Sequence, residues 1–248
     1  MLNFSRRQLL QTGISIAGIA GLAPPGSGAT PADDRLSTDW PFLGRYREEN
    51  GRIVAGGRPV EVVFLGDSIT EGWLSKAPAF FTERRICRGI GGQTTPQMLV
   101  RFHADVVRLR PRAVHIMAGT NDIAGNTGPS TLAMMQDNFS AMIEIAAAHG
   151  IRLILASIPP ALEFPWRPGV ATVAPIAACN DWLKGEAARI GCPYADYFTA
   201  MADRRSGMRE GLSYDQVHPT EQGYAVMRPV AEAAIGKVLA QAGVASPT

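Results

Sequence analysis

The stretch at residues 60–68 reads Val-Glu-Val-Val-Phe-Leu-Gly-Asp-Ser, and it decides the fold. Its first six residues are apolar apart from one Glu and rich in β-branched side chains, which is typical of a strand buried inside a sheet. The run stops at Gly66, and the hydroxyl side chain of Ser68 follows two residues later. The pattern therefore predicts a buried strand with a polar side chain just beyond its carboxyl end.

Further apolar runs follow along the chain and are separated by segments in which apolar residues recur at helical spacing. We predict strands at residues 84–90, 113–118, 151–158 and 193–197, and helices at about 94–109, 130–149, 176–189 and 220–240. Continuous apolar strands between amphipathic helices predict a parallel sheet covered by helices on both faces. The expected fold class is α/β, with the architecture of a three-layer α/β/α sandwich. Ligands of such sheets bind at the carboxyl ends of the strands, where Ser68 lies.

Length and composition are those of an ordinary soluble enzyme with one main domain. The chain has 248 residues, of which 46% are hydrophobic and 19% charged, and no internal repeat is visible. We expect the domain at residues 59–242, with a leader segment at 30–58 before it and a short tail at 243–248 after it.

The first 29 residues have the pattern of a twin-arginine export signal. Arg6 and Arg7 precede a mildly apolar run at residues 13–23, and Ser27-Gly28-Ala29 offers a small-x-small cleavage site. The run is shorter than the roughly 20 residues of a spanning helix, so we expect no stable membrane insertion. Without this segment the formal net charge falls from +2 to zero. The sequence therefore predicts a periplasmic or secreted protein that does not bind nucleic acid.

Three cysteines, Cys87, Cys179 and Cys192, are too few for a disulfide framework and lack Cys-x-x-Cys spacing. Either Cys179 and Cys192 form one disulfide in an oxidising compartment or all three are free thiols. No cluster of His, Cys, Asp or Glu has metal-ligand spacing, so we expect no metal and no cofactor.

Ser68 is the candidate nucleophile, and its chemistry needs a general base. The segment Asp215-Gln-Val-His218-Pro supplies one, because an Asp three residues before a His lies on the same side of a turn. The carboxylate can then accept from Nδ1 and leave Nε2 free to serve Ser68. The remaining histidines are expected to be packing or surface residues: His103, His115 and His149.

Donors for a developing oxyanion are the second requirement. Gly91 and Gly92 follow the second predicted strand and allow close approach of the backbone, while Asn121 follows the third and offers a neutral amide. The glycines could instead belong to a dinucleotide-binding loop. That alternative is disfavoured because Thr94 occupies the third glycine position and no acidic residue lies between 106 and 121.

The chain resembles the SGNH hydrolase superfamily, also called the GDSL esterases and lipases. The resemblance rests on four blocks in order, Gly-Asp-Ser-Ile-Thr at 66–70, Gly-Ile-Gly-Gly-Gln-Thr at 89–94, Gly-Thr-Asn-Asp at 119–122 and Asp215-x-x-His218. It implies a flavodoxin-like sheet of five parallel strands. It also implies a triad of Ser68, His218 and Asp215 and an oxyanion hole formed by the N–H groups of Ser68 and Gly92 with the Asn121 side chain. Gly91 could replace Gly92 if the alignment slips by one residue.

The expected function is a serine ester hydrolase that forms an acyl-enzyme and acts on short acyl or O-acetyl groups. The substrate would be a small-molecule, glycan or lipid ester. The sequence gives no indication of how many copies of the chain associate. A lysophospholipase or thioesterase for longer chains is the alternative. Outside the esterases the alternatives are a non-catalytic glycan-binding domain and a flavodoxin-type nucleotide protein. Trp73, Phe164 and Trp166 could line the substrate pocket or anchor loops, and the Pro-rich loop at 159–175 is expected to wall the site.

Overall fold

A computed structural model describes residues 39–240, and these contain one central sheet of five parallel strands. The strands are β1 (Val62–Gly66), β2 (Arg85–Gly89), β3 (Ala113–Met117), β4 (Arg152–Ala156) and β5 (Tyr194–Ala195). Their order in the sheet is β2-β1-β3-β4-β5, the flavodoxin-like order. Val62 pairs with Arg85 on one side and Ala113 on the other, so β1 is an interior strand, and all its residues are buried.

Helices cover both faces of this sheet and confirm the predicted three-layer α/β/α architecture. They are α1 (Arg47–Gly56), α2 (Ser68–Lys76), α3 (Thr95–Asp105), α4 (Thr120–Ile123), α5 (Leu132–Ala148), α6 (Val173–Ile190), α7 (Tyr197–Met201) and α8 (Glu221–Ala240), with short 3₁₀ turns at Pro78–Phe80 and Val107–Leu109. Thr94 caps α3 in a capping box with Gln97, and Thr131 caps α5.

The predicted elements are present, and the differences lie at their ends. The helix expected at 94–109 stops at Asp105 and continues as a 3₁₀ turn, while β4 is shorter than the predicted strand at 151–158. The edge strand β5 has only two residues. An apolar run predicts that a strand is present. The residue at which the strand ends depends on where the neighbouring strand stops pairing with it.

Part of the segment expected as a leader, residues 30–58, is folded. Helix α1 lies within it and carries the buried side chain of Asn50. That side chain accepts hydrogen bonds from the buried guanidinium of Arg88 on β2 and donates to Asp105 on α3. We propose that the domain begins before residue 59; the expected signal at 1–29 and the tail at 243–248 lie outside the described residues.

All three cysteines are free thiols, so the alternative of a bridge between Cys179 and Cys192 is not realised. Cys87 and Cys179 are buried and Cys192 is partly exposed. Between residues 39 and 240, no helix has the length and apolar character needed to cross a membrane.

Candidate active site

Ser68 lies just beyond the carboxyl end of β1 and is the first residue of α2. Asp67 caps this helix by accepting the Ile69 N–H at 2.9 Å. The hydroxyl oxygen of Ser68 lies 2.8 Å from Nε2 of His218, which is 150 residues away in the chain. A hydroxyl in this position has a base within reach and sits at the positive end of a helix dipole.

The turn before α8 orients the imidazole of His218. Its Nδ1 lies 2.6 Å from Oδ2 of Asp215, and the other carboxylate oxygen accepts the N–H groups of Val217 and His218 at 3.0 and 2.7 Å. Gln216 takes a positive φ of 71°, which closes this turn. Partial burial raises the pKa of Asp215, but the hydrogen bonds from His218 and Val217 outweigh it and lower the pKa overall. The carboxylate is therefore ionised and holds the tautomer that presents Nε2 to Ser68.

The two glycines after β2, Gly91 and Gly92, have different roles. Gly91 is structural, whereas the N–H of Gly92 is a candidate donor to the oxyanion. The Gly91 N–H donates to the Glu71 carboxylate at 2.8 Å, so it is already engaged. Gly92 has a φ of 75°, which favours glycine, and no hydrogen bond within residues 39–240 occupies its N–H. The geometry thus favours Gly92 over Gly91 as the donor.

Asn121 is buried at the start of α4, and its amide is held at both ends. Its Nδ2 donates to the Gln93 carbonyl at 3.0 Å and makes a longer contact of 3.4 Å with Oδ2 of Asp67. Its Oδ1 accepts a hydrogen bond from the Asn126 side chain at 2.8 Å. The weakly engaged second N–H of Nδ2 is the one that can turn toward a substrate oxygen.

Asp67 is almost completely buried beside these groups. Burial raises the pKa of its carboxyl to about 6, against the opposing effects of the Ile69 hydrogen bond and of nearby His218. Asp67 therefore caps α2 and contacts Asn121, whereas Asp215 is the carboxylate that faces His218.

Two exposed aromatic rings flank His218. Tyr214 stacks on the imidazole with ring centres 5.7 Å apart, and Trp166 lies at the same distance from it. Phe164 is fully buried and stacks beneath Trp166 at 5.3 Å. Of the expected pocket residues, Trp166 therefore reaches the site directly and Phe164 supports it from below.

Trp73 is a correction, since it does not line a substrate pocket. Its ring is completely buried and stacks between Phe80 at 4.5 Å and Tyr224 at 5.5 Å. The residue lies on the face of α2 that packs on the sheet, so the anchoring alternative is the correct one. Its position five residues after Ser68 does not reveal which face of the helix it occupies.

The other histidines have the structural roles expected of them. His115 is buried within β3 and its Nε2 lies 2.9 Å from the Tyr197 hydroxyl. Burial lowers its pKa to about 3, so the ring is neutral. His103 and His149 are exposed and contact each other edge to face.

Sequence reasoning missed Glu71, Asn126 and Tyr214. Glu71 lies three residues after Ser68 on α2, and Asn126 lies five after Asn121; this proximity is the only local signal. Their contacts with Gly91, Asn121 and His218 all join elements that are distant in sequence or separated by a turn.

Comparison with known proteins identifies the family of this chain. A model of the GDSL-like Lipase/Acylhydrolase family matches residues 64–226, which include the nucleophile loop, both oxyanion candidates and the Asp-His turn. The chain belongs to this family. It is accordingly a member of the SGNH hydrolase superfamily, and the family supports an ester hydrolase in general.

Solved structures resemble this GDSL-family hydrolase over most of its length. A candidate acylhydrolase from Bacteroides fragilis NCTC 9343 is 41% identical with a TM-score of 0.77, covering 82% of this chain and 99% of that one. A GDSL-like lipase from Bacteroides thetaiotaomicron VPI-5482 is 39% identical with a TM-score of 0.75, covering 80% and 99%.

One sequence relative gives a shorter match. The uncharacterized lipoprotein YqeF of Bacillus subtilis strain 168 is 40% identical over 78 residues. This match covers 30% of the present chain and 32% of YqeF, so the hydrolase spans about a third of that relative's length.

Proposed function

We propose that this hydrolase is a serine esterase that cleaves short-chain acyl or O-acetyl esters through an acyl-enzyme. The single observation that carries the proposal is the continuous contact from Ser68 Oγ through His218 to Asp215, at 2.8 and 2.6 Å. Both distances are those of hydrogen bonds, and together they match the nucleophile, base and orienting carboxylate of a hydrolytic triad.

In the first half-reaction Ser68 Oγ attacks the ester carbonyl while Nε2 of His218 takes the hydroxyl proton. The tetrahedral intermediate collapses as His218 returns that proton to the leaving alcohol, which leaves the acyl group on Ser68. Water then repeats the sequence: His218 takes its proton, and Ser68 leaves with that proton as the free acid is released. Asp215 stabilises the imidazolium in both halves and keeps its own negative charge.

The carbonyl oxygen becomes an anion in each tetrahedral intermediate. We assign its binding to the N–H groups of Ser68 and Gly92 and to the amide of Asn121. Support comes from the positive φ of Gly92 and from the buried, fixed amide of Asn121, which are preorganised before substrate arrives. Donors of this kind typically contribute a factor of about 10² to 10³ each in kcat.

A non-catalytic glycan-binding domain is the contrasting proposal, and the triad distances argue against it. The exposed rings of Tyr214 and Trp166 beside His218 could contact a sugar, but they would do so next to an intact nucleophile and base. We therefore treat these rings as substrate contacts of an enzyme. Longer acyl chains, as in a lysophospholipase or thioesterase, are addressed by the chain-length prediction below.

The test compares Ser68→Ala with Ser75→Ala, an exposed serine on the same helix. Hydrolysis of p-nitrophenyl acetate should fall by several orders of magnitude in Ser68→Ala and stay near wild type in Ser75→Ala. A fluorophosphonate probe should label the wild type and Ser75→Ala but not Ser68→Ala. If Ser68→Ala keeps more than about a tenth of the activity, the nucleophile assignment is wrong.

We also propose that the chain is exported through the twin-arginine route, because Arg6 and Arg7 precede an apolar run. The lipoprotein name of the Bacillus subtilis relative supports a location outside the cytoplasm. Changing both arginines to Lys should leave the precursor in the cytoplasm, as measured by fractionation. Normal export of this double variant would contradict the proposal.

A further inference from the structure

A chain of side-chain hydrogen bonds connects the long loop after β4 to the oxyanion amide. The indole Nε1 of Trp166 donates to Oδ1 of Asn126 at 3.1 Å. Nδ2 of Asn126 donates to Oδ1 of Asn121 at 2.8 Å, and Nδ2 of Asn121 donates to the Gln93 carbonyl at 3.0 Å. None of these contacts involves the triad itself.

The two ends of this chain fix its direction. An indole N–H can only donate, so Asn126 must present its oxygen to Trp166 and its NH₂ to Asn121. A backbone carbonyl can only accept, so Asn121 must present its NH₂ to Gln93. Both ends therefore require the same orientation of the Asn121 amide, with its oxygen toward Asn126 and its NH₂ toward the site.

The segment that carries Trp166 is fastened to the same turn by its neighbour. Arg167 donates from Nε to the Ala124 carbonyl at 2.7 Å and from Nη2 to the Gly125 carbonyl at 3.1 Å. The Asn126 N–H donates to the Asn121 carbonyl at 3.0 Å and closes this turn. The loop and the turn after α4 thus form one hydrogen-bonded unit around the Asn121 side chain.

We propose that Asn126 is a positioning residue that fixes the Asn121 amide for oxyanion binding, and that the Trp166 indole fixes Asn126 in turn. Without Asn126 the Asn121 amide loses the donor that holds its oxygen, so it can rotate or turn over and present oxygen to the oxyanion. This inference rests on the proposed esterase function and adds to it a residue outside the four sequence blocks. It makes Trp166 both a wall of the site and a determinant of the oxyanion hole.

The experiment is a double-mutant cycle on p-nitrophenyl acetate with Asn126→Ala, Asn121→Ala and the double variant. Asn126→Ala should lower kcat roughly ten- to a hundredfold and leave KM within about twofold, because the lost interaction is made in the transition state. Asn121→Ala should lose about 10² to 10³ in kcat. Nδ2 of Asn126 also lies 3.4 Å from the Gly92 carbonyl, a longer contact than its hydrogen bond of 2.8 Å to Asn121. The double variant should therefore be nearly as active as Asn121→Ala alone, because Asn126 acts mainly through Asn121.

Trp166→Phe is the milder arm, since it keeps an aromatic ring and removes the indole N–H together with part of the ring's bulk. It should lower kcat by a smaller factor than Asn126→Ala, and that loss should also vanish in the Asn121→Ala background. Thr127→Ser is the matched control, because Thr127 is next to Asn126 but takes no part in these hydrogen bonds. Its kcat should stay within about twofold of wild type. If Asn126→Ala does not fold by circular dichroism, the Trp166→Phe cycle decides the question.

Losses that multiply in the double variant would overturn the proposal, since the two asparagines would then act independently. A change in KM with unchanged kcat would do the same, because it would indicate a substrate contact. These outcomes differ from a failure of the proposed function, in which Ser68→Ala would remain active whatever the asparagine variants show.

Discussion

The carboxylate of Glu71 accepts the N–H of Gly91 at 2.8 Å, from three residues beyond Ser68 on the same helix. The helix that carries the proposed nucleophile therefore also holds the loop that carries Gly92, the second proposed oxyanion donor. Helix α2 also packs closely on β2, and Gly89 permits this, since a Cβ there would lie 2.1 Å from the backbone nitrogen of Glu71. Nucleophile and donor are thus fixed relative to each other by one short stretch of helix.

Glu71→Ala should lower kcat by roughly ten- to a hundredfold with little change in KM, because it releases the loop that positions the Gly92 N–H. Glu71→Gln retains an acceptor and should lose less. Arg45→Ala keeps the Glu71 carboxylate and removes the exposed ion pair to it, together with a cation–π contact to Tyr46, and should cost little. Steady-state kinetics on p-nitrophenyl acetate measure all three; equal losses in Arg45→Ala and Glu71→Ala would show that the ion pair, not the Gly91 hydrogen bond, matters.

The buried carboxyl of Asp67 predicts a pH dependence of stability. Its native pKa is raised to about 6 by burial, whereas an unfolded Asp titrates near about 3.9. The native state therefore binds a proton that the unfolded state has lost, and stability falls as pH rises between these values. Wild type should lose on the order of 1–3 kcal/mol relative to Asp67→Asn between pH 4 and pH 7. Urea unfolding at both pH values measures this difference, and a constant difference would refute the prediction.

Asn50 predicts that helix α1 is an integral part of the domain. Asn50→Ala would leave Arg88 and Asp105 buried without this partner, so the free energy of unfolding should fall by roughly 2–4 kcal/mol. Glu48→Ala, at an exposed position on the same helix, should change it by less than about 0.5 kcal/mol. Chemical denaturation of both variants provides the comparison. If they behave alike, α1 is an appendage and the domain starts later.

Acyl preference should be short, with kcat/KM falling from p-nitrophenyl acetate to the octanoate. The loop beside the nucleophile is fastened through Trp166 and Arg167, so it opens poorly for a longer chain. Each methylene that fits gains only about 0.8 kcal/mol, whereas overfilling a closed pocket costs about 1–3 kcal/mol. A kcat/KM that rises along the ester series would contradict this and favour the lysophospholipase or thioesterase alternative.

The sequence by itself determined the sheet, the order of its elements and the four blocks at its carboxyl edge. This was possible because buried strands and helix caps leave local patterns, as at residues 62–66 and at Thr94. Parallel strands also bring their carboxyl ends to one edge, so the sequence alone predicts that Ser68, Gly92 and Asn121 lie close together.

Only the tertiary structure decided which neighbours surround the candidate site and that part of the expected leader is folded. Glu71 contacts Gly91 on another element, whereas Asn126 and Tyr214 contact residues five and four positions away around turns, and no local pattern distinguishes the three from surface residues. Trp73 was ambiguous for the same reason, because one helix face packs on the core and the other does not. Hydrophobic periodicity in the sequence predicts which side chains are buried. Which residue a given side chain contacts depends on how separate segments of the chain pack together.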